Sequence, residues 1–66
     1  MNLEQVKNRI KAHIKKHFDG NQAAFARHLG IERQNINNIL SGRSPIPKTI
    51  LDEIGVVKTI GYRLKR

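Results

Sequence analysis

Between Arg33 and Asn38 the chain reads Arg-Gln-Asn-Ile-Asn-Asn, one guanidinium and four primary amides in six positions. Asparagine is a poor helix former, and a solvated helix face ordinarily carries Glu, Lys or Ala. Each amide, however, presents a donor beside an acceptor. That pair matches the N6–H and N7 edge of adenine, and a guanidinium matches O6 and N7 of guanine. The chemistry on offer is hydrogen-bonded readout of base edges. Catalysis has little to draw on. There is no Cys, Ser41 and Ser44 have no recognisable His–Asp partners, and no carboxylate pair sits on a scaffold large enough to enclose a substrate. The expectation is a non-enzyme with no cofactor and no small-molecule ligand.

The histidines suggest a metal and then withdraw it. His13 and His17 are four residues apart, the spacing of two zinc ligands on one helix face. Two ligands do not make a site, and no Glu or third His is placed beside them. His17 also lies on the apolar stripe of its helix, so a partly buried packing role is expected for it. His28 is expected on a solvated face or near a phosphate. No metal site is expected.

The elements that must position the amides follow from periodicity. Asn2 caps a first helix, with Gln5 in capping-box position, and Leu3, Val6, Ile10, Ile14 and Phe18 form its apolar stripe. Asp19-Gly20 ends it, with glycine at the left-handed position after the helix. Asn21 caps a second helix over Gln22–Leu29, closed by Gly30. A third helix runs from about Glu32 to Leu40 or Ser41 and stops at Gly42. Two short helices joined by so tight a turn must cross steeply, so a small residue is needed where they touch. Ala26 supplies it, and Phe25, Leu29, Ile31, Ile36 and Ile39 point inward. Arg43 to Pro47 forms a loop, Pro47 opens a fourth helix over Pro47–Ile54, and Gly55 ends that helix.

The last segment changes period. Val56, Lys58, Ile60, Tyr62 and Leu64 fall on one face of an extended strand, with Val57, Thr59, Gly61, Arg63 and Lys65 on the other. A lone strand leaves its backbone donors and acceptors unpaired. No second strand is legible, so the expectation is an antiparallel ribbon with the same strand of a second subunit. A disordered or helical tail is the alternative. The division is thus 1–55, a helical domain, and 56–66, a strand serving as a dimerisation arm.

Thirteen Lys and Arg against five Asp and Glu give a formal charge of +8 and a pI near 10.7. Such an excess on 66 residues favours an anionic partner, nucleic acid or an acidic membrane surface. No apolar run is long enough to span a bilayer, and Met1-Asn2-Leu3-Glu4 has no signal-peptide pattern. The cations of the first helix (Lys7, Arg9, Lys11, Lys15 and Lys16) would suit a membrane surface, but its apolar stripe is needed to cover the other helices. RNA binding lacks exposed aromatics for stacking, because Phe18 and Phe25 read as core and only Tyr62 is left. The absence of Cys fits a reducing cytoplasm.

The segment from His17-Phe18-Asp19-Gly20-Asn21-Gln22 through Leu40-Ser41-Gly42 resembles the helix-turn-helix of the bacteriophage Cro and repressor family. Its small Cro-type members are the most similar, and the match covers residues of about 17 to 54. The resemblance implies a mainly α, lambda-repressor-like domain of four helices with a short C-terminal β-strand. By the same resemblance the third helix enters the major groove of double-stranded DNA. Arg33, Gln34, Asn37 and Asn38 fall at base-reading positions, and Gln22, Asn35, Arg43 and Lys48 at positions that hold the DNA backbone. Glu32 departs from the pattern, since the family usually has Ser or Thr there. The implied function is transcriptional repression by occlusion, as a homodimer through Val56–Leu64 on a near-palindromic operator, in the cytoplasm of a bacterial or phage-infected cell. The alternative is an antitoxin-type protein that grips a protein partner with the strand.

Overall fold

The computed structural model describes residues 1–64 of the chain; Lys65 and Arg66, part of the expected arm, lie outside the described residues. Four helices, α1 (Leu3–Phe18), α2 (Gln22–Leu29), α3 (Arg33–Leu40) and α4 (Lys48–Glu53), precede two strands, β1 (Val56–Lys58) and β2 (Tyr62–Leu64). The protein is mainly helical, as expected, and measures 30 × 24 × 18 Å.

The helix starts follow their side chains. The Asn2 amide oxygen accepts from the Gln5 N–H at 2.8 Å, and the Gln5 side chain accepts from the Asn2 N–H at 2.9 Å. This is the reciprocal capping box. Asn21 accepts from the Ala24 N–H at 3.1 Å and caps α2 with a single bond, since Ala24 has no side-chain group to return it. The end of α1 differs slightly from expectation, because the left-handed turn begins at Asp19 (φ 53°) and continues through Gly20 (φ 78°). Asp is among the few side chains that tolerate that conformation. Helix α4 is shorter than expected. Pro47 stands outside it as the N-cap (ψ 157°), its carbonyl accepting from the Ile50 and Leu51 N–H groups, and Ile54 is the C-cap. The proline ring fixes φ but leaves ψ free, so Pro47 serves as well at the cap as in the first turn.

The core takes Val6, Ile10 and Ile14 from α1, Phe25 and Ala26 from α2, Ile36 and Ile39 from α3, and Ile50 and Leu51 from α4, closed by Ile54 and Val56. Phe18, Leu29, Ile31 and Leu40 pack on its margin. Leu3, expected on the buried stripe, is exposed. It is the first residue of α1. No polar or charged side chain is buried among the described residues.

The C-terminal segment corrects the sequence reading. It is not one strand awaiting a second subunit but a hairpin within the chain, antiparallel, with Val56 opposite Leu64, Val57 opposite Arg63 and Lys58 opposite Tyr62. The Thr59 N–H and hydroxyl both donate to the Gly61 carbonyl and close the turn around Ile60. Four of the five residues of the expected face keep it: in this register Val56, Lys58, Tyr62 and Leu64 lie on one side, since directly opposed residues share a face, but Ile60 leaves it for the turn and is fully exposed. A turn of three residues preserves the alternation, so periodicity alone could not reveal it. The outer edge of β2 is also occupied, since the Met1 amino group donates to the Tyr62 carbonyl and the Tyr62 N–H donates back to the Met1 carbonyl.

Candidate nucleic-acid interface

Three residues, Gly30-Ile31-Glu32, connect α2 to α3. Gly30 takes φ 72°, which an L side chain rarely adopts, and the Ile31 N–H reaches back to the Ala26 carbonyl at 2.9 Å. Ala26 itself is buried where the helices meet, the close approach its small side chain permits. With Ile36 and Ile39 turned into the core, Arg33, Gln34, Asn35 and Asn37 are exposed and Asn38 is half-buried.

The first half of α3 faces the start of α2. Gln22, Arg33, Gln34 and Asn37 line one shallow polar concavity, and Gly20, Asn21 and Ala23 extend it along the α2 N-terminus. Residues 11 or more apart in sequence are thereby brought to one surface. Asn21 was not anticipated there; its place directly before Gln22 was the available signal. Asn35 is not part of the concavity. It lines the opposite flank of α3 with Ile31, Ile39, Ser44, Pro45 and Pro47.

Asn38 sits between the amide face and the loop. Its side-chain oxygen accepts from Gln34 Nε2 at 3.3 Å. Its main-chain carbonyl accepts from the Ser41 hydroxyl and from the Arg43 and Ser44 N–H groups at 3.1, 2.8 and 3.2 Å. Three donors on one carbonyl fix the path of the chain beyond α3 and hence where Arg43 emerges. Lys48 is exposed at the first position of α4 and borders an apolar hollow with Ile46, Leu51, Val56 and Val57. Neither Arg43 nor Lys48 lines the concavity.

Glu32 is the N-cap of α3, but its side chain makes no capping bond; only its carbonyl accepts, from Asn35 and Ile36. The α3 N-terminus therefore has no side-chain acceptor, and the Glu32 carboxylate beside it offsets part of its positive end. The Lys and Arg side chains supply the positive charge elsewhere on the surface. Among the described residues, Lys7 alone of the Lys and Arg side chains has a carboxylate within ion-pair distance, Glu4 at 3.6 Å.

His28 is exposed, as expected, but His13 and His17 are arranged differently from expectation. His17 is exposed, and it is His13 that is half-buried, its ring 5.8 Å from that of Phe25 and 4.5 Å from that of His17. The packing direction of α1 decides this, with Ile10 and Ile14 fully inward and His13 beside them. Glu53 on α4 joins the group: His28 Nε2 donates to its Oε1 at 3.1 Å, and His13 Nε2 lies 3.7 Å from its Oε2. Burial holds the His13 pKa below its ordinary value, and His17 and His28 push the same way while Glu53 opposes. Among the described residues, no three such side chains are placed to hold a metal ion.

No protein-family model, no curated protein and no solved structure matches the chain. No helix among the described residues is long and apolar enough to cross a membrane.

Proposed function

We propose that the protein is a sequence-specific double-stranded DNA-binding repressor, with α2 and α3 acting as a helix-turn-helix and α3 lying in the major groove. The observation that supports this best is the concavity in which Gln22 of α2 meets Arg33, Gln34 and Asn37 of α3. A phosphate at the α2 N-terminus and base edges along α3 would occupy it together, since free amides at a helix start favour an anion. Arg33, Gln34, Asn37 and Asn38 read bases; Gln22, Asn35, Arg43 and Lys48 hold the backbone. Asn35 approaches it from the flank opposite Gln22.

The protein binds as a homodimer to half-sites about 34 Å apart, one helical turn. Because the hairpin satisfies its own ladder, the second subunit meets the side chains it leaves exposed, Val57, Ile60 and Leu64. Occupancy of an operator excludes polymerase, in the cytoplasm of a bacterial or phage-infected cell. Those three apolar residues also favour a second reading, an antitoxin-type protein that binds a protein partner through the hairpin. Selection of sites from random DNA tests the first reading. A palindromic motif is expected, and a pool without enrichment would overturn it.

A further inference from the structure

The bond from Gln34 Nε2 to Asn38 Oδ1 has a consequence for which base Gln34 accepts. A primary amide has two N–H donors and one carbonyl acceptor. Left free, glutamine meets two purines. It can pair a donor and its carbonyl with N7 and N6–H of adenine, or aim both donors at O6 and N7 of guanine. With one donor committed to Asn38, only the first arrangement remains complete. When the bond to Asn38 uses the N–H trans to the carbonyl, the N–H cis to it and the carbonyl itself form the donor–acceptor pair that adenine requires. Against guanine the carbonyl would face O6, two acceptors in contact, and one acceptor would go without a donor.

We infer that Asn38 is a positioning residue that restricts Gln34 to adenine, so that the pair reads one A·T base pair in each half-site and rejects G·C there. This rests on the DNA-binding reading above. The geometry supports the assignment at three points. Gln34 is exposed on the outer face of α3 and borders the concavity, whereas Asn38, one turn on, is half-buried. The Asn38 main chain is pinned by three donors from Ser41, Arg43 and Ser44, so its side chain starts from a fixed point. Asn38 also keeps its own two N–H donors for a neighbouring base or phosphate.

The test measures binding of the full chain to the selected operator and to operators changed to each other base pair, position by position. For the unsubstituted protein one position should prefer A·T over G·C by roughly 5- to 150-fold, the range of a good bidentate contact. Asn38→Ala frees the second donor of Gln34 and should bring that ratio to within about threefold, G·C gaining, while positions that neither Gln34 nor Asn38 contacts keep their preferences. Asn38→Asp keeps the acceptor and should retain the A·T preference at lower affinity, because it adds a negative charge. Gln34→Ala should abolish the preference at the same position. Circular dichroism establishes that each variant is folded; alanine is the better helix former, so Asn38→Ala should not lower helicity. An Asn38→Ala protein with the A·T preference intact overturns the inference and leaves the DNA-binding reading standing. An unsubstituted protein that distinguishes no sequence overturns that reading instead.

Discussion

Replacing Val56 by Ala should separate what the hairpin does for the fold from what it offers outward. Val56 is 1 % exposed and closes the core, whereas its neighbour Val57 is 39 % exposed. Val56→Ala deletes two buried methyl groups at about 0.8 kcal/mol each in transfer and adds a smaller cavity term, together about 2–3 kcal/mol. A domain this small commonly has about 3–5 kcal/mol to lose. At about 4–8 °C per kcal/mol, the melting temperature should fall by about 10–20 °C. Val57→Ala, on the open side, should stay within about 0.5 kcal/mol of the parent. Thermal melts followed by far-ultraviolet circular dichroism, at a concentration where the chain is monomeric, read both. If the two variants melt together, Val56 is not part of the core and the hairpin is not held as described. Sedimentation adds the outward half: Ile60→Ser should weaken a dimer while leaving the monomer's melting temperature in place.

Lys48→Ala should lower affinity for all sequences alike and flatten the salt dependence by about 0.9 per subunit; between 50 and 200 mM salt each such contact is worth about 3.5-fold. A variant that changes base preference instead would remove Lys48 from the backbone set. The His13 pKa is lowered in the folded protein, chiefly by burial. In the window between that lowered value and the ordinary 6.5, the unfolded chain binds more protons than the folded one. The stability that neutral His13 contributes is therefore complete above that ordinary value and is lost as pH falls below it. Urea titrations across that range should show the decline, and His13→Gln should remove that part of it. Glu53→Gln takes away the charge that opposes the shift and should make the acid loss steeper.

The α1 to α3 region was legible because local chemistry and tertiary packing agree there. Asn2 with Gln5, Asn21, and Gly30 each satisfy a requirement of their own helix end, and those requirements are met within four residues of sequence. Which amides meet a common surface was less legible. Gln22 joins Arg33, Gln34 and Asn37 only through the crossing of two helices, and a periodic reading of α3 alone cannot separate Asn35 from them. Glu53 went unseen for the same reason: it meets His13 and His28 from another helix.

By itself, the sequence determined that this is a small basic helical domain whose amide-rich α3 turns its apolar side inward. The alternation along Val56 to Leu64 also stated which residues would share a face, except for Ile60, which the turn removes from it. Only the tertiary structure decided what lies beside them. Backbone donors and acceptors must be paired, and they pair with the nearest competent partner. Across the three-residue turn at Thr59-Ile60-Gly61 that partner is the chain itself. The exposed Val57, Ile60 and Leu64 are what remain for another molecule.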